Sequence, residues 1–115
     1  NPHVDIIAHP TGRLIGEREE ADLDMEAIFR AAAAHGVALE INGYTRRLDL
    51  NDINVRRAVE LGVPLVISSD AHDINGFANL ALGLAMARRG WATAAQILNT
   101  RSADEVLAWA KTHAF

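Results

Sequence analysis

Three short apolar runs, separated by stretches of helical spacing, organise this chain. Val4 to Ala8, Val37 to Ile41 and Pro64 to Ser68 are brief and mostly aliphatic, the pattern of strands covered on both faces of a parallel sheet. Between the first two, Met25, Ile28, Phe29 and Ala32 recur at helical spacing, with Asp22 or Asp24 placed to cap the start and Gly36 the end. Ile53, Val55, Ala58, Val59 and Leu61 repeat that spacing from near Asn51 or Asp52 to Gly62. Phe77, Leu80, Leu84 and Ala87 predict a third helix ending at Gly90. The tail carries two capping-box patterns, Thr93-Ala94-Ala95-Gln96 and Ser102-Ala103-Asp104-Glu105. Two short helices are expected there, the last with Val106, Ala110 and Trp109 turned inward.

The resulting order, three strand–helix units followed by two more helices, predicts an α/β fold. Right-handed crossovers place such strands parallel, with the helices outside. Three strands close no barrel and leave two open sheet edges. The pattern therefore fits a partial (βα) barrel with a helical C-terminal tail, and a self-standing three-stranded layer is the alternative. No linker-like stretch divides residues 1–115, which read as one unit.

Composition narrows the classes. Half of the 115 residues are apolar and 23% are charged, which excludes a disordered tail. The net charge of −4 argues against a protein that coats nucleic acid. Lys111 is the lone lysine among eleven basic residues; arginine suits bidentate phosphate contacts, and a coding bias toward arginine gives the same count. Without cysteine, disulfides and thiolate metal sites are excluded, and a reducing, cytoplasmic location is expected. No apolar run is long enough to span a membrane, so no membrane partner is expected. The opening Asn1-Pro2-His3, without an initiator Met, suggests a processed product or a piece of something larger.

Polar residues fall in phase with the strands. His9 closes the first, Glu40 and Asn42 the second, and Asp70 and His72 follow the third; His9 and Glu40 stand 31 residues apart, Glu40 and Asp70 30. In βα barrels that C-terminal rim is where reactions are built. Residues two apart in an extended segment point the same way, so Asp70 and His72 could reach one metal or two adjacent ones. Oxygen and imidazole donors without thiolate suit Zn, Mn or Fe. Alternatively, Asp70 caps the next helix and His72 is an ordinary loop residue. Glu40 reads as a supporting residue that orients neighbouring groups. Arg13 and Arg47, just beyond strand ends, are candidates for phosphate binding. Arg56, Arg57, Arg88 and Arg89 read as solvated helix faces, and His3, His35 and His113 as structural or solvated.

Val4 to Leu14, Leu39-Glu40-Ile41-Asn42, Arg47-Leu48-Asp49-Leu50 and Ser69-Asp70-Ala71-His72 resemble the later motifs of the PHP (polymerase and histidinol phosphatase) domain. Ala87 to Trp91 and Leu98-Asn99-Thr100 are most similar to that domain in bacterial family X DNA polymerases. The resemblance implies a distorted, TIM-like (βα) barrel of which residues 1–115 are the C-terminal portion. It also implies a multinuclear site of divalent metal ions, Mn foremost and Zn or Fe as alternatives. His9, Asp70 and His72 match the family's metal ligands, with Asp70 and His72 also catalytic, while Glu40 and Asn42 match a supporting motif. The implied activity is phosphoester hydrolysis, tied in family X polymerases to 3′→5′ exonuclease action and DNA repair. The implied partners are DNA, the rest of the barrel and a polymerase domain. The family's His-x-His motif and its middle His and Glu ligands do not occur in this chain, and Gly43 to Arg46 departs from its usual Pro-containing loop. The chain alone is therefore expected to be inactive. A small-molecule phosphatase of the histidinol-phosphatase type and a non-catalytic scaffold are the alternatives.

Overall fold

A computed structural model of the chain describes residue 1 and residues 3–113. Its regular elements are β1 (Ile6–Ile7), α1 (Met25–His35), β2 (Ala38–Asn42), α2 (Asp52–Glu60), β3 (Leu65–Ser68), α3 (Leu80–Arg89) and α4 (Ala103–Thr112). The strands form one parallel sheet in the order β1-β2-β3, with no closed barrel among the described residues.

Local chemistry sets the helix limits. The Asp24 side chain caps α1 by accepting the Ala27 N–H, and Gly36 ends it in the left-handed region at φ 62°. Asn51 caps α2 by accepting the Asn54 N–H. The tail differs from expectation. The Thr93 capping box is formed, but it starts only a 3-10 turn, Ala94–Gln96, followed by a second, Leu98–Thr100. Another 3-10 turn, Ile74–Asn79, takes up Phe77 before α3 begins.

Strand alternation divides the core. Leu39, Ile41, Leu65 and Ile67 pack with Phe29, Ala32, Val55, Ala58 and Ala87 beneath the three central helices. On the opposite face, Ala38 packs against Leu98 and Trp109, with Val66, Val106 and Ala110 alongside. The Trp109 indole N–H donates to the Gly36 carbonyl at 3.0 Å, which ties α4 under the N-terminal end of the sheet. Glu40, Asn42 and Ser68 share the face of Ala38 by the two-residue period, but they lie at the C-terminal end, beyond α4.

Coverage of the strands is uneven. β2 is wholly buried, whereas Ile6 and Ile7 of β1 are both exposed. The β3 edge is closed by a device the periodicity does not show. Leu65 bridges to Ile97 in parallel fashion, and the Asn99 amide accepts the Ile67 N–H at 2.7 Å and donates to its carbonyl at 2.9 Å. One side chain thus stands in for a neighbouring strand.

Two glycines let α3 approach the rim. A Cβ on Gly43 would lie 2.2 Å from the Asn79 carbonyl oxygen, and one on Gly83 would lie 2.7 Å from an Ile67 methyl. Gly43→Ala forces backbone against backbone, so a loss of about 2 kcal/mol is expected. The urea midpoint checks this; an unchanged value would mean that α3 moves away without cost.

Candidate functional site

Glu40 organises the C-terminal ends of the three strands. Its side chain is buried, with Oε2 accepting the His9 backbone N–H at 2.6 Å and the Asn42 side-chain amide at 3.3 Å. Oε1 accepts the Ser68 hydroxyl. A single carboxylate therefore joins the ends of β1, β2 and β3.

Asp70 and His72 lie just past Ser68. The His72 Nδ1 sits 2.8 Å from the Asp70 carbonyl oxygen. A carbonyl can only accept, so Nδ1 is the donor in this contact, and Nε2 is the ring nitrogen left for another group. The imidazole is exposed, and its Nδ1 lies 4.0 Å from the Asp70 carboxylate. On the other side of that carboxylate, Arg47 Nε stands 3.7 Å away. Asp73, not Asp70, caps the following 3-10 turn by accepting the Asn75 and Gly76 N–H groups, so the helix-cap alternative for Asp70 is set aside. His9 and Asp70 both have left-handed backbone, at φ 34° and 53°. Such conformations cost on the order of 1 kcal/mol or more and persist where surrounding contacts impose them.

A second layer of contacts locks the loops after β1 and β2 together. Arg13 donates through Nε to the Arg47 carbonyl at 2.7 Å, through another nitrogen to the Leu48 carbonyl, and lies 3.4 Å from Glu20. Arg47 donates to the Arg13 carbonyl at 3.4 Å. Beneath them, the fully buried Asp49 carboxylate accepts the Thr11 N–H at 3.0 Å and the Gly12 N–H at 2.9 Å through one oxygen. Burial pushes its pKa up, against hydrogen bonds from Thr11 and Gly12 and the charge of Arg13. No role for Asp49 was legible in the sequence, although a carboxylate flanked by Leu48 and Leu50 is a signature of burial. Arg13 acts here as a brace between loops, which leaves Arg47 the better placed of the two for an anion beside Asp70.

The structure brings Asp70 and His72 together and holds the His9 backbone through Glu40. Among the described residues, no three His, Asp or Glu side chains form a group ready to hold a metal ion. The donors suit such an ion chemically, but they make a pair rather than a complete ligand set. The other histidines are structural where they make contacts: His113 ends α4 and pairs with Asp5 at 2.8 Å. The helix arginines are more than solvated faces, since Arg57 pairs with Glu26 and Glu60, Arg89 with Asp52, and Arg56 lies over the Trp91 ring. No helix is long and apolar enough to cross a membrane.

Polar groups gathered at the C-terminal ends of parallel strands, on loops leading into helices, are the layout of an α/β enzyme domain. The chain is 44% identical over 111 residues, 96% of its length, to the DNA polymerase/3'-5' exonuclease PolX of Bacillus subtilis (strain 168). It is 32% identical over 120 residues, 97% of its length, to a probable phosphatase of Shewanella halifaxensis (strain HAW-EB4). A probable phosphatase of Shewanella sp. (strain ANA-3) is 39% identical over 75 residues, 60% of this chain and 27% of that protein. No protein-family model matches the chain. These similarities support a PHP-type C-terminal part, the region its motifs resemble. It spans 20% of the length of PolX and 45% of that of the first phosphatase.

Proposed function

We propose that this chain is the C-terminal portion of a PHP domain, within a larger protein that hydrolyses phosphoesters at the 3′ ends of DNA. Its similarity to a polymerase/exonuclease and to probable phosphatases supports a phosphoesterase-type region. The observation that carries the proposal is the Asp70–His72 pair, with Nε2 left for another group and Arg47 beside the carboxylate. In this reading Asp70, His72 and His9 contribute donors to a divalent-metal site, Mn foremost and Zn or Fe as alternatives, which residues outside this chain complete. Arg47 faces the substrate phosphate while Arg13 braces its loop, and Glu40 and Asn42 hold the rim in place. The remainder of the barrel and a polymerase domain are the partners, in a cytoplasmic protein of DNA repair. The 115 residues alone are inactive.

A second reading, a phosphatase of small phosphomonoesters, is favoured by the similarity to probable phosphatases. Assaying the full-length protein with Mn on a single-stranded oligonucleotide and on glycerol phosphate separates the two. Release of nucleotides from the 3′ end, abolished by a chelator, is expected. Hydrolysis of glycerol phosphate alone supports the second reading, and hydrolysis of neither overturns both.

A further inference from the structure

We infer that Tyr44 is a stacking platform for the terminal nucleobase, and thus the residue of this chain that favours a nucleic-acid end over a small phosphoester. The inference rests on the phosphoesterase reading above and extends it to substrate choice. Three observations support it.

The first is position. The Tyr44 ring centroid lies 6.5 Å from that of His72, with the planes inclined at 45°. The Tyr44 ring therefore borders His72, whose partner Asp70 faces the Arg47 guanidinium.

The second is preorganisation. The Tyr44 N–H donates to the Asn42 side chain at 2.9 Å, and its carbonyl accepts the N–H groups of Arg47 at 2.8 Å and Leu48 at 3.0 Å. This turn sits on the Asp49 and Arg13 contacts, so Tyr44 is carried on a braced backbone, half-buried and with its side chain beside Arg46, and little ordering is needed when a ligand arrives.

The third is charge. The net charge is −4, and the nearby arginines are engaged: Arg46 with Glu17, and Arg13 with Glu20 and two carbonyls. Among the described residues around this pair, no long basic track offers to hold a strand by its phosphates. Stacking is the sequence-tolerant alternative, since every base has a π face. A small aliphatic phosphoester gains nothing from it.

The test compares the full-length protein with its Tyr44→Ala and Tyr44→Phe variants, on a single-stranded oligonucleotide and on glycerol phosphate. In Tyr44→Ala, the preference for the oligonucleotide, as a ratio of kcat/KM values, is expected to fall about tenfold, mostly through KM. Tyr44→Phe, which keeps the ring, restores it. A 2-aminopurine placed at the 3′ end should be quenched on binding to wild type and to Tyr44→Phe, and much less by Tyr44→Ala. An equal loss on both substrates would make Tyr44 a support for His72 and overturn the inference, as would an unchanged ratio or unchanged quenching. If the wild-type protein hydrolyses neither substrate, the phosphoesterase reading itself fails and takes this inference with it. A wild-type protein that is active on oligonucleotide, with an indifferent Tyr44→Ala, sinks the inference alone.

Discussion

Asp70→Asn in the full-length protein is expected to lower phosphoester hydrolysis at least about a hundredfold while leaving the fold intact. The two halves of this expectation have separate physical causes. Asp70 occupies the left-handed region at φ 53°, which asparagine tolerates as well as any residue with a side chain. The substitution therefore adds no backbone strain and preserves the side-chain volume. What it removes is the negative charge between Arg47 and His72. A melting temperature within about 2 °C of wild type, together with collapsed turnover, is the anticipated pair of results. Full activity in Asp70→Asn would remove Asp70 from the chemistry, whatever the fate of His72.

The largest effect on stability is expected at Asp49. Asp49→Ala leaves the buried Thr11 N–H without an acceptor, while the Gly12 N–H keeps the His9 carbonyl at 3.0 Å; an unpartnered buried donor costs about 1–3 kcal/mol, and the lost Gly12 bond adds to it. A total near 3 kcal/mol is expected from denaturant unfolding. Asp49→Asn should cost far less, about 1 kcal/mol, because a single oxygen already accepts both N–H groups. Wild type and Asp49→Asn should also differ in pH dependence. Burial raises the folded-state pKa of Asp49 above its unfolded value, so the folded chain retains this proton over the interval between the two. That contribution to stability is complete below the unfolded pKa and is lost as pH rises through the raised folded value. Glu26, held down to about 2 chiefly by its hydrogen bond with Arg57, acts in the opposite direction. The informative quantity is therefore the difference between wild type and Asp49→Asn, which should grow more favourable to wild type as the medium is acidified. A constant difference across that interval would show that Asp49 titrates alike in both states.

Much of the frame was legible because it rests on local rules. Helix α1 runs between Asp24 and Gly36 and α2 follows Asn51, since caps and left-handed termini are properties of a few adjacent residues. The strand runs were also readable, but their coverage was not. The first run shrinks to Ile6–Ile7, exposed on both faces, because burial of a strand depends on elements that periodicity cannot see. The Thr93 capping box forms without a full helix after it, as a cap satisfies the first turn and does not supply a face to bury.

The sequence by itself determined the alternation of strand and helix and the phase that puts His9, Glu40 and Asp70 at one rim. Both follow from spacing and cap chemistry along the chain. Only the tertiary structure decided that Glu40 joins all three strand ends, that Asp49 and Arg13 lock two loops together, that Asn99 closes the β3 edge, and that Tyr44 borders His72. Each of these joins residues some 28 to 38 positions apart. Such contacts depend on strand register and loop geometry, which no local pattern encodes.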